Sequence, residues 1–199
     1  MKNSNRVRKY NKDDAYKNLD RINFWISNSD SKASFVLAFL GIFIGVLFSS
    51  EFLYDILKTI AQILLAFDYK NIIFYLASLS LIILIVFLSL FGIASKYILD
   101  SLRPNLDPNH FIEYDIKANS NLHFQSIAEK SFNEFYKENK QLESEEDLIQ
   151  DIESQVYINS KIATEKFTSF KKAMSFTKWS LLFFALFLIM GTWTMFLVK

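Results

Sequence analysis

The sequence contains no cysteine, which excludes disulfides and thiol chemistry and leaves the redox compartment unreadable. It has only two prolines, Pro104 and Pro108, and only four glycines, Gly41, Gly45, Gly92 and Gly191. All four glycines lie in apolar segments, so the polar parts have none with which to build a tight phosphate-cradling turn. There is no Gly-x-Ser-x-Gly and no Ser/His/Asp set. The two histidines, His110 and His123, are thirteen positions apart and lack the spacing and partners of a zinc site. Glu143–Asp147 lacks the alternating ligands and central glycine of a calcium loop. No catalytic residue, metal site or nucleic-acid partner is expected, and an enzyme is disfavoured.

Charge is the next absence. Ala33–Ser50, Asn71–Ser95 and Trp179–Val198 contain no charged residue over 18, 25 and 20 positions, and Phe, Leu and Ile dominate them. A helix crossing a hydrocarbon core of roughly 30 Å needs about 20 such residues. The expected class is therefore an all-α membrane protein with three transmembrane helices. A charged tail of 32 residues precedes the first run, which fits a retained span better than a cleaved signal peptide. The expected organisation is a cytosolic tail and interfacial helix at 1–32, spans at 33–50, 71–95 and 179–198, and an external amphipathic connection at 51–70. The 83 residues 96–178 form a cytosolic helical domain.

Orientation follows from Lys and Arg. The tail carries eight, the 51–70 connection has Lys58 and Lys70, and Lys96–Lys178 carries eleven, five of them in the 18 residues before the third span. The tail and the large domain are expected in the cytosol of a multi-pass inner-membrane protein. None of the three apolar runs holds an ionisable residue, which argues against a transporter with a substrate path.

Helical periodicity is present in the polar segments too. Leu19, Ile22, Trp25 and Ile26 share one face of a helix around Asp13–Ser29. In the connection, Ile56, Ile60 and Ile63 recur at helical spacing between Asp55, Lys58 and Gln62, an amphipathic helix lying on the outer face. Arg103–Pro108 must be a break or turn. Phe124, Ile127, Ala128, Phe132 and Phe135 mark one amphipathic helix. Ser144-Glu-Glu-Asp147 fits a capping box. From it runs the stripe Leu148, Ile152, Val156, Ala163, Phe167, Phe170 and Met174, with neither proline nor glycine before the third span. One helix from about 145 to 198 is expected, on the order of 80 Å long at 1.5 Å per residue.

Two features suit binding. Gly41-Ile-Phe-Ile-Gly45 is a small-residue pair four apart, which lets two helix backbones approach closely in lipid. Packing within the chain is the expected use, a dimer face the alternative. Lys161, Lys166, Lys171, Lys172 and Lys178 are expected to meet lipid headgroups, a basic ligand pocket being the sharper alternative.

Trp25-Ile-Ser-Asn-Ser-Asp-Ser-Lys-Ala-Ser34, running into the first span, and Asp147–Phe167 with Phe170, Lys171 and Ala173 resemble the Pycsar transmembrane effector family of bacterial anti-phage operons. The resemblance covers roughly residues 15–198. It implies a homo-oligomeric membrane effector that answers a neighbouring nucleotide cyclase. The activator it implies is a cyclic nucleotide, cyclic CMP or cyclic UMP, with no further cofactor. It also implies damage to the inner membrane that stops the cell before phage matures. Some relatives carry a nucleotide-binding β-barrel, for which this sequence has no strand pattern. By position, Asp30, Lys32, Gln155 and Lys166 fill the family's motif. An ion pair between Asp30 and Lys32, within or between subunits, and a helix-start pair that fixes entry of the first span are both open. A constitutive membrane scaffold that recruits a cytosolic protein is the rival reading.

Overall fold

The computed structural model describes residues 9–103, 116, 120–140 and 144–198. Six helices follow in order: α1 (Lys12–Phe48), α2 (Glu51–Ala66), α3 (Ile72–Leu102), α4 (Phe124–Ala128), α5 (Phe132–Lys140) and α6 (Glu145–Val198). No strand occurs among the described residues. The helices α1, α3 and α6 are long and apolar enough to cross a membrane. Pro104–Pro108, His110 and Glu143 fall outside the described residues.

The chain divides into two compact units. The first joins residues up to Asp30 with Arg103–Lys166, and the second joins Ser31–Leu102 with Phe167–Lys199. Both α1 and α6 continue from the first unit into the second.

A period of 3.5 governs which residues the long helices bury. In α6, Ile152, Lys166, Ala173, Ser180, Phe187 and Thr194 are buried at multiples of seven, with Asn159 half-buried in the remaining place. In α1 the inward positions step by three and four through Ala15, Leu19, Ile22, Ile26, Ser29, Ala33, Val36, Leu40 and Phe43. This spacing keeps one seam of a helix facing its neighbour along its whole length.

In the second unit, Lys32 meets Phe167 and Phe43 meets Phe184, so α1 and α6 run parallel. Tyr97 stacks on Phe176, while Phe87 packs on Phe184, so α3 runs antiparallel to α6. Two apolar clusters hold these helices: Leu40, Ile98 and Ala173 in one, and Ile56, Ile60, Ala77 and Phe187 in the other. The serines of α3 donate to the carbonyl one turn back, as Ser80 does to Leu76 at 2.9 Å and Ser89 to Ile85 at 2.8 Å. Such bonds satisfy a hydroxyl where lipid offers no partner.

The connection after the first span is helical, as its spacing indicates. Ser50 caps α2 by accepting from the Leu53 N–H at 3.4 Å. Its two inward isoleucines, Ile56 and Ile60, cluster with Ala77 of α3 and Phe187 of α6. Gly191 permits this packing. A Cβ there would stand 2.5 Å from Ile56 Cγ2.

The single helix expected across Phe124–Phe135 is instead two, α4 and α5. Ser131 is the reason. Its Oγ accepts from the Glu134 N–H at 3.3 Å, while its own N–H and hydroxyl both donate to Glu134 Oε2 at 2.8 Å. This reciprocal cap starts a new helix in mid-segment. Phe124 and Phe132 are exposed rather than on a shared buried face. Met174 likewise lies outside the α6 seam, which is filled at that level by Ala173.

Candidate functional site

The start of α6 is set by Ser144, whose Oγ accepts from the Asp147 N–H at 3.2 Å and donates to Asp147 Oδ2 at 3.0 Å. Three acidic residues, Glu145, Glu146 and Asp147, occupy the first turn, where the helix dipole favours them. The helix then runs beside α1 within the first unit. Asn159 Nδ2 donates to Asn23 Oδ1 at 2.9 Å, and Lys166 Nζ donates to Asp30 Oδ1 at 2.7 Å. Asn23 and Asp30 are one heptad apart, as are Asn159 and Lys166, and both pairs bridge a separation of 136. Two rungs with the same offset make α1 and α6 parallel here too.

The Asp30–Lys166 rung brings together residues from the two sequence segments that carry the family motif. The Lys166 side chain is 8% exposed and that of Asp30 41%. An ammonium so far from water needs a partner, and the short carboxylate contact supplies it. Asp30 does not pair with Lys32, because residues two apart on a helix point away from one another. In the second unit, Lys32 places its ammonium 5.8 Å from the centre of the Phe167 ring. Sequence spacing could not have matched Asp30 to Lys166, since nothing local links positions 136 apart.

Gln155, the fourth motif residue, is buried on α6. One turn before it, Asp151 is 4% exposed and its Oδ1 has no hydrogen-bond partner. Ser154 between them is buried and donates to Gln150 at 2.8 Å. The polar atoms His123 Nδ1, Gln125 Oε1, Asn28 Oδ1 and Ser29 Oγ in the same unit are buried without partners as well. His123 is half-buried rather than solvent-exposed as its surroundings in sequence suggested, and no group of three metal-ligating side chains occurs among the described residues. Unpaired buried polar atoms are costly, of order 1–3 kcal/mol each. The sequence offered one signal for Asp151, an acidic residue one position from the apolar stripe of α6.

Gly41 and Gly45 do not serve packing within the chain. A Cβ added at either would meet no atom within 4 Å. The expected intrachain use of this pair is absent because the inward seam of α1 runs through Leu40 and Phe43 instead.

Three helices long and apolar enough to cross a membrane, with no strand among the described residues, define a helical membrane protein. More narrowly, the chain belongs to the Pycsar effector protein domain family, whose model matches residues 14–191. It is 38% identical over 167 residues to the Pycsar effector protein GmPycTM of Gulbenkiania mobilis, covering 82% of this chain and 84% of that protein. No solved structure matches it.

Proposed function

We propose that the chain is a non-enzymatic effector of anti-phage defence that sits in the bacterial inner membrane with its N-terminus in the cytosol. The first unit senses a cyclic nucleotide, cyclic CMP or cyclic UMP, supplied by a nucleotide cyclase. The second unit impairs the membrane, and infected cells stop growing before phage matures. One observation carries this reading beyond family membership: α1 and α6 are each a single unbroken helix shared by a polar unit and an apolar one. Helices are stiff along their axes, so a rearrangement around Asp151 and Gln155 would be felt by the spans. The unpartnered Asp151 Oδ1 and the buried Gln155 amide supply hydrogen-bonding groups for a polar ligand. The open Gly41–Gly45 face supplies a surface on which copies could meet in lipid.

The test is expression with a nucleotide cyclase during phage infection, followed by membrane potential and exclusion of a DNA-binding dye. Depolarisation and dye entry that need both proteins support the reading; an intact membrane in infected cells refutes it. A second reading, a constitutive scaffold, is favoured by the exposed Phe124 and Phe132 in the first unit. A stoichiometric protein partner lost on Phe124→Ser/Phe132→Ser substitution, with no response to nucleotide, would select it.

A further inference from the structure

The charges of the second unit are divided between its two ends. Where α1 and α6 enter it, Lys32, Lys96, Lys171, Lys172 and Lys178 stand against a single acid, Asp100. Around α2, at the other end, Glu51, Asp55 and Asp68 outnumber Lys58 and Lys70. All five lysines of the first group are exposed.

Two of them are held by aromatic rings of a neighbouring helix. Lys32 of α1 lies over Phe167 of α6 at 5.8 Å, one turn before Lys171. Lys172 of α6 lies over Tyr97 of α3 at 5.5 Å, next to Lys96. Tyr97 is itself stacked on Phe176 with ring centres 5.7 Å apart. Each neighbour of α6 thus offers a pair of lysines with it, Lys32 with Lys171 and Lys96 with Lys172, in which one member, Lys32 or Lys172, is held by a ring contact. About one turn further into the apolar segments, Phe35, Ile93 and Met174 are exposed.

We propose that these lysine pairs form a binding site for the phosphate of an anionic phospholipid. A free phosphate would use only the ammonium groups. A phospholipid uses both the ammonium groups and the apolar side chains immediately deeper, where its acyl chains lie, and this juxtaposition commits the site to lipid. The site is independent of any nucleotide response.

The test uses the full-length protein in a neutral detergent, titrated with phosphatidylglycerol and, separately, with phosphatidylcholine, with bound lipid counted by native mass spectrometry. Phosphatidylglycerol is expected to bind more tightly than phosphatidylcholine. The triple variant Lys32→Gln/Lys171→Gln/Lys172→Gln should lose roughly a hundredfold of that affinity, taking about 1 kcal/mol for each of its three basic residues near an anionic surface. Arg at the same three positions should restore it, and Lys58→Gln/Lys70→Gln at the opposite end should leave it unchanged. Equal binding of the two lipids overturns the proposal. So does phosphatidylglycerol binding that survives in the triple Gln variant, or displacement of the lipid by millimolar inorganic phosphate.

Discussion

The same two helices differ in their contacts between the two units, the first adding polar rungs beside its apolar seam positions. In the second unit the α1 and α6 seams are filled by Leu40, Phe43, Ala173, Phe184 and Phe187. In the first, rungs between them are Asn23–Asn159 and Asp30–Lys166. An apolar seam holds helices together but tolerates sliding, because one apolar heptad fits another nearly as well. A polar rung is satisfied in one register only, as with polar residues at core positions of coiled coils. The first unit thus specifies the alignment and the second supplies close packing. The pair at Asp30 and Lys166 falls at the last residue of each segment of the first unit, where the contacts change.

The strongest way to break this contrast is to remove the rung at Asp30. Asp30→Leu deletes the carboxylate that Lys166 Nζ meets at 2.7 Å. The expected loss is about 1.5–3 kcal/mol, the range for a hydrogen bond to a charged group. Asp30→Leu/Lys166→Met should recover part of this stability, since an apolar pair then replaces the ionic one. It should also loosen the α1–α6 register. Denaturant unfolding in detergent micelles measures the first effect. Cysteine cross-linking between single sites introduced on α1 and α6 measures the second. A double variant as unstable as Asp30→Leu would mean that the pair contributes more than neutralisation.

The glycines sharpen the contrast inside the second unit. Gly191→Ala forces a methyl to 2.5 Å from Ile56 Cγ2, the branch nearest the backbone, which has little room to move. Overpacking of this kind costs about 1–3 kcal/mol and should separate α2 from α6. Gly41→Ala and Gly45→Ala meet nothing, so each should leave the melting temperature of the monomer unchanged or raise it, alanine being the better helix former by up to about 1 kcal/mol. Thermal unfolding of the three variants side by side checks the order. Destabilisation by Gly41→Ala in the monomer would show that α1 packs through its glycine face after all.

Much of the architecture was legible because absences are local facts. Charge-free runs mark α1, α3 and α6, and the lack of any proline between Ser144 and Val198 foretold the length of α6. The Ser144 cap was readable because its partner, Asp147, lies three residues away. The Ser131 cap has the same spacing and was overshadowed by the apolar residues on either side of it. What could not be read were relations across the chain: that Asp30 meets Lys166 rather than Lys32, and that Gly191 rather than Gly41 admits a neighbour. Asp151 is a third case, since burial without a partner depends on residues far away in sequence.

The smallest effect lies at the start of α5, where a cap within one helix can be compared with the rungs between α1 and α6. The Ser131 N–H and hydroxyl hold the Glu134 carboxyl below its ordinary range, with the backbone bond the larger cause. A carboxylate whose pKa is lower in the folded state contributes stability above its unfolded value and loses it as the pH falls through the folded one. Acidification through and below the carboxylate range should therefore fray α5 at Ser131. Over the same range the Asn23–Asn159 rung, which has no titratable group, should hold. Carbon NMR of the Glu134 carboxyl in labelled protein should give a midpoint below that of a free glutamate. Glu134→Gln, which can still accept from Ser131 without a charge, should abolish the pH dependence of the Ser131 amide shift. A midpoint at the ordinary glutamate value would show that this cap is too exposed to water to hold the carboxylate.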